Sequence, residues 1–395
     1  MSDLGEEIYR AICDVTQAST AGLHEPYFDD EEERFVLDCI RSSFVSSVGK
    51  YVSDFEEELA SYLGVRRAVA VVNGTSALQI ALQLAGVGPG DEVLIPTLSF
   101  VATANAVRYC GATPHFIDSC VETLGLDVNS LEARLATIGV VTHQGCQNKE
   151  TGATIRAVVP MHTFGHPCDM EKILRIAEKY SIRVVEDAAE SLGSTYQGIH
   201  TGSFGLVSAI SFNGNKIITT GGGGAIVTNN EELGNLAKHL TTTARIPQRW
   251  GFLHDQVGYN YRMPNINAAL GCAQMKKLPL FVEAKRQLAF DYASRFKSVP
   301  GISFKQENDG CSCNYWLQTV LLDDDRVCER DSILTYLNDR RITARPAWSL
   351  LHTLPMYTDC PKTNLSTSVS LEKRIINIPS SPFLSRSFDK NKRNF

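Results

Sequence analysis

The chain has 395 residues, 43% of them hydrophobic and 21% charged, with a formal net charge of −6. That length predicts two domains, the larger with a sizeable core. A modest negative charge offers no broad basic field, which excludes nucleic acid and acidic membrane surfaces as the main partners.

Residues 1–64 read as an N-terminal helical segment in three pieces: EEIYRAI, DDEEERFVLDCIRSSF and VSDFEEELASYLG. Phe35, Val36, Cys39 and Ile40 share one face of the second piece, and Ser53 and Gly64 are the expected cap and stop of the third. From Arg67 the pattern becomes alternating strand and helix, predicting a large domain over residues 65–265. RAVAVV, EVLIP, TPHFID, IRAVVP and IRVVEDA are the strands, and SALQIALQLAG, SFVATANAVRYCG and DMEKILRIAEKY, with Asp169 as N-cap, are helices between them. This alternation implies an α/β fold with a mostly parallel sheet wrapped by helices on both faces. Residues 266–395 read as a connector helix, from Asn267 to Lys297 with an interruption at Pro279, and a smaller α+β C-terminal domain; its polar end, SRSFDKNKRNF, is expected to be loose.

Eleven cysteines, an odd number in mostly apolar settings, predict reduced thiols and a cytoplasmic location. Cys311 and Cys313 lack the doubled spacing of a zinc site and are read as structural. No apolar run is as long as the roughly 18 residues of a membrane span, and MSDLGEEIYR lacks the order of a signal peptide.

Chemistry concentrates around SFNGNKIITTGGGGAIVT, residues 211–228. An apolar strand (residues 206–212) ends in a turn that delivers Lys216, an amine suited to attack a carbonyl if it is not simply a solvated turn lysine. Ligands of open α/β sheets collect at the carboxyl ends of strands. Asn73-Gly74-Thr75-Ser76 falls there, as a phosphate-holding turn or an ordinary helix cap. Asp187 ends a strand, where a buried acid needs a cationic partner unless it caps a helix or binds a metal. Phe100 is placed to cover a flat ligand or to fill a core, and Ser211 could extend the phosphate site. Together these describe pyridoxal 5′-phosphate, a flat phosphorylated ring that acts as an electron sink. The four glycines, Gly221 to Gly224, are read as close backbone packing after the lysine turn. A dinucleotide-binding oxidoreductase is disfavoured, since no GxGxxG stands between a strand and a helix.

NGTSALQIAL, PGDEVLIPTLSFVATANAV, PMHTFGHPCDM, VVEDAAESLGS, SFNGNKIITTGGGGAIVTNN and GYNYRMPNINAALG occur in that order. This series resembles the DegT/DnrJ/EryC1/StrS nucleotide-sugar aminotransferases, over about residues 25–382. The resemblance implies an aspartate aminotransferase-like fold (PLP fold type I) and a homodimer with shared active sites. It also implies amino transfer from L-glutamate to a keto-sugar nucleotide. By the same resemblance Lys216 is the Schiff-base lysine, Asp187 partners the pyridine nitrogen and Phe100 stacks. Thr75, Ser76 and Ser211 are phosphate ligands, in line with the Gly74 to Ser76 turn read above, and Asn260 reaches the phosphate of the neighbouring subunit. His162, Trp348 and His352 fall near the substrate, with Tyr357 close by and no metal.

Glu190 stands where many members carry Gln, and an ionised carboxylate can only accept where an amide donates. LHEPYF, SSVGKYVSDFEEELA and LGLDVNSLE look most like the subgroup that aminates C4 of a UDP-4-keto-6-deoxy-N-acetylhexosamine for bacillosamine or legionaminic acid, hence for cell-surface glycans. GDP-perosamine synthesis and 3-keto-sugar amination are the alternatives. A catalytically silent sugar-nucleotide-binding protein would be marked by loss of Lys216 or Asp187, and both are present.

Overall fold

A computed structural model describes residues 3–388. The calls on the tail beyond residue 388 lie outside them. Seven strands build the central sheet: β1 (Arg67–Val71), β2 (Glu92–Pro96), β3 (Thr113–Ile117), β4 (Thr154–Val158), β5 (Arg183–Asp187), β6 (Val207–Ser211) and β7 (Gly224–Thr228). They lie in the order β1-β7-β6-β5-β4-β2-β3, with a hairpin over residues 139–148 added beside β4. All seven run parallel except β7, which is antiparallel to both β1 and β6. The carboxyl ends of β1, β5 and β6 therefore meet the start of β7 on one edge.

Side chains of the strands are apolar on both faces, as a sheet covered on both sides requires. Val69, Val71 and Ile226 point into one cluster with helices α4 (Gly74–Leu84) and α5 (Val101–Tyr109). Ala68, Ala70, Ala225 and Val227 point into the other, with α3 (Lys50–Leu63) and the long helix Asn265–Phe296. The expected α/β class and mostly parallel sheet are what the structure has.

The N-terminal helices do not form one segment. Helix α1 (Asp3–Thr16) packs through Leu4, Ile8 and Ile12 onto the C-terminal layer, where Leu288, Tyr292, Val320 and Leu337 meet. That layer carries a four-stranded sheet whose strands include Ile302–Phe304, Gln318–Leu322 and Ile375–Ile378. Helix α2 (Asp30–Ser42) instead joins the large sheet through Cys39, while Ile40, expected on the same face, is 54% exposed.

Two helix boundaries differ from expectation. Ser53 does not cap α3; the helix begins at Lys50 behind Gly49, and the side chain of Asn265 accepts the Tyr51 N–H at 3.0 Å instead. A distant residue supplies this cap, so local sequence did not reveal it. The connector helix runs unbroken from Asn265 to Phe296 through Pro279. Pro279 sits on the exposed face, and burial of Met275, Leu278 and Phe281 holds the turns on either side.

Close packing in the glycine run falls at Gly223 and Gly224, whereas a Cβ on Gly222 would meet nothing within 4 Å and Gly221 instead takes a positive φ of 78°. A Cβ on Gly224 would lie 2.5 Å from the carbonyl carbon of Asn73 and 2.6 Å from the Gly74 nitrogen, both backbone atoms that cannot step aside. Gly224→Ala is expected to lower stability by about 1–3 kcal/mol, the cost of overpacking. It should also displace the Asn73–Thr75 turn. Thermal unfolding checks it, and an unchanged midpoint would show that the turn yields freely.

Candidate active site

A cavity of about 280 Å³ opens at the edge where β1, β5 and β6 end. Each strand contributes its last residue or the turn after it. Beyond β1, Asn73 caps α4 by accepting the Ser76 N–H at 2.8 Å, and Gly74 and Thr75 face the cavity. Ser76 is buried and does not line the wall. Gly74 cannot carry a side chain, since its Cβ would come within 2.8 Å of that of Ser211 at the end of β6. The helix N-terminus with this closely packed turn suits an anion.

Asp187, the last residue of β5, is 6% exposed. It accepts the Thr103 hydroxyl at 2.8 Å and the Ala189 N–H at 3.2 Å. Among the described residues no cation forms a salt bridge with it. Burial raises its pKa above the usual carboxylate range, a penalty that a cation entering the cavity would relieve.

Lys216 follows β6 in a turn closed by its N–H to the Asn213 carbonyl at 3.0 Å. Its Nζ lies 3.2 Å from Glu190 Oε1 and 3.9 Å from the centre of the Trp316 ring. The Trp316 indole N–H is itself anchored on the Asn215 carbonyl at 2.6 Å. Glu190 is 3% exposed, and burial pushes its pKa up to about 7 against the pull of Lys216. Phe100 stands at the mouth, 51% exposed, with Trp348 6.3 Å away and Phe164 stacked obliquely on Trp348 at 4.9 Å.

Of the residues singled out from the sequence, Gly74, Thr75, Phe100, Asp187, Glu190, Ser211, Lys216 and Trp348 all line this cavity. His162 does not. It is fully buried behind Asp187, its Nδ1 accepts the Cys168 N–H at 3.1 Å, and its Nε2 therefore donates to Glu186 at 3.1 Å. Neither nitrogen is left for a substrate, so His162 is corrected to a support for the sheet. His352 is also outside, its Nδ1 2.8 Å from the Thr97 hydroxyl, and Tyr357 is a core residue against Phe116. Asn260 is exposed and away from this chain's own cavity.

Trp316, Thr103 and Met161 line the site but were missed. YWLQTVLL reads as a strand, yet only Gln318–Leu322 is one, and Trp316 in the lead-in turns to the lysine.

A reactive amine, an acid lacking a cation and a phosphate-sized turn converge here, and they are what a pyridoxal phosphate-dependent aminotransferase needs. Residues 26–389 match the DegT/DnrJ/EryC1/StrS aminotransferase family, and the chain belongs to it. It is 37% identical to the GDP-perosamine synthase of Escherichia coli O157:H7, covering 92% of this chain and 94% of that one. It is 36% identical to the GDP-perosamine synthase of Vibrio cholerae with the same coverage. A solved DegT/DnrJ/EryC1/StrS aminotransferase from Brucella abortus superposes with a TM-score of 0.82 at 28% identity, over 90% of this chain and 92% of that one. No helix among the described residues is long and apolar enough to cross a membrane.

Proposed function

We propose that this aminotransferase moves the amino group of L-glutamate to a GDP-linked 4-keto sugar. The observation that carries the reaction type is Lys216 held in the same cavity as Asp187, a buried acid that forms no salt bridge among the described residues. Similarity to two GDP-perosamine synthases over nine-tenths of the chain supports the GDP sugar ahead of the UDP-4-keto-6-deoxy-N-acetylhexosamine implied by the sequence segments.

Bound pyridoxal phosphate supplies the electron sink that makes a proton on the neighbouring carbon removable. Lys216 would hold the cofactor through its amine and, once free, would serve as the neutral base that moves the proton at the reacting carbon. Asp187 would keep the cofactor's ring nitrogen protonated, and Phe100, at the mouth, would cover the ring. Gly74, Thr75 and Ser211, which line the cavity, would hold the phosphate, while Ser76 is buried behind them, and Trp348 would border the sugar.

The active unit in this reading is a homodimer, with Asn260 reaching the partner's phosphate. Trp250 and Val257 on the segment before Asn260 are 83% and 84% exposed, and Phe44 and Val48 after the second helix are 56% and 61% exposed, as surfaces awaiting a second copy would be.

The purified protein is expected to show a visible cofactor band that L-glutamate bleaches, and to elute with the mass of two chains. Offered GDP- and UDP-linked 4-keto sugars side by side, it should turn over the GDP sugar at least about tenfold faster, a preference worth ~1.4 kcal/mol. A protein that stays colourless with added pyridoxal phosphate sinks the reaction, and preference for the UDP sugar sinks only the choice of nucleotide.

A further inference from the structure

Glu190 and Lys216 form a closed pair. Nζ is 3.2 Å from Oε1, and the side chain of Glu190 is 2% exposed and that of Lys216 13%. The other carboxyl oxygen accepts the Phe164 N–H at 2.9 Å, and the Trp316 ring closes over the ammonium at 3.9 Å. The charged and titratable groups facing the pair are few. Asp187 lies near Glu190 with like charge, with the Glu186–His162 pair behind it. His24, its ring nitrogens buried without partners, feels the charge of Lys216 and of Lys285. Among the described residues, Lys216 is the one cation in a salt bridge with Glu190.

This arrangement sets a condition on the chemistry. If Lys216 is the reacting amine, as the proposed function holds, its nitrogen must lose its proton to attack a carbonyl. Without that positive charge Glu190 would be a buried, unpaired anion, a state that proteins avoid by taking up a proton. The nearest proton is the one the ammonium gives up.

We propose that Glu190 holds the proton of Lys216: the pair shares one proton, which Glu190 takes when the amine attacks and returns when the lysine is released. The step balances as an ammonium and a carboxylate becoming an amine and a carboxylic acid. One N–H bond breaks, one O–H bond forms, and no electron pair leaves the two residues. The carboxyl is poised for this, because burial brings its pKa to about 7. Glu190 is a positioning residue, since it acts through the lysine.

The test uses the full chain freed of cofactor by dialysis. Lys216 is methylated with formaldehyde and cyanoborohydride at a series of pH values, and its extent is read by mass spectrometry against exposed lysines of the same digest. A shared proton makes the profile rise in two steps, with a plateau between them where a constant fraction of the pair is in the amine–acid form. Glu190→Gln is expected to lose the lower step and rise once, and Glu190→Asp to restore two steps.

Indistinguishable one-step profiles in wild type and Glu190→Gln overturn the proposal. A Lys216 that stays unmodified at every pH overturns instead the reading of that lysine as the reacting amine. Should Glu190→Gln not fold, the infrared spectrum of the wild type decides: a neutral-carboxyl band that persists in part on the plateau between the two steps supports the shared proton, and its complete loss at the first step overturns it.

Discussion

Lys216→Ala is expected to lower kcat/KM for amino transfer by on the order of 10⁴-fold while leaving the fold in place. The same amine is asked to hold the cofactor and to move the proton in both halves of the reaction, so its removal takes both contributions at once. The turn should survive, because the N–H of residue 216 still bonds to the Asn213 carbonyl and the flanking Ile217 and Ile218 stay buried. Glu190 loses its ion pair but can take a proton, so it need not remain as a buried charge. Steady-state kinetics with L-glutamate and the keto sugar, beside a thermal melt, measure both expectations. Activity within tenfold of wild type would remove Lys216 from the chemistry.

Asp187→Asn should cost about 10²- to 10³-fold in kcat, the usual effect of removing one preorganised electrostatic group. The stability of the cofactor-free chain should move little, or rise. The reason lies in what the carboxylate lacks: it is buried, its pKa is raised by that burial, and no cation among the described residues forms a salt bridge with it. An amide of the same shape can keep the Ala189 bond through its oxygen and donate its own N–H to the Thr103 hydroxyl, without a desolvated charge. A site whose removal leaves stability intact but stops the reaction is there for a ligand. If activity falls only as far as stability does, Asp187 is structural.

The fold class was legible because strands covered on both faces are apolar throughout and helices between them are periodic, and both patterns are written locally. The chemical residues were legible for a related reason. Lys216, Asp187 and Gly74 each follow a recognisable strand, and strand ends in such sheets converge on one edge. The reversed direction of β7, by contrast, depends on Gly224 fitting against the backbone of Asn73, which no neighbour in sequence announces.

Misplaced residues share one cause. His162 lies one residue from Met161, which lines the cavity, yet its ring is turned inward by Glu186 and Cys168, 24 and 6 positions away. Ser53 looked like a cap until Asn265, more than two hundred residues on, took the first turn of α3. Trp316 came to the lysine only because the C-terminal layer docks its strand lead-in over the turn at Asn215.

By itself, then, the sequence determined through its periodicity a sheet-and-helix fold with Asp187 at one strand end and Lys216 in the turn after another, and through the resemblance of its ordered motifs an aminotransferase. Only the tertiary structure decided which neighbours face the lysine, that Glu190 and Trp316 enclose it and that His162 does not reach the site. Side-chain direction is set by contacts between residues far apart in the chain, and those exist only once the layers have packed.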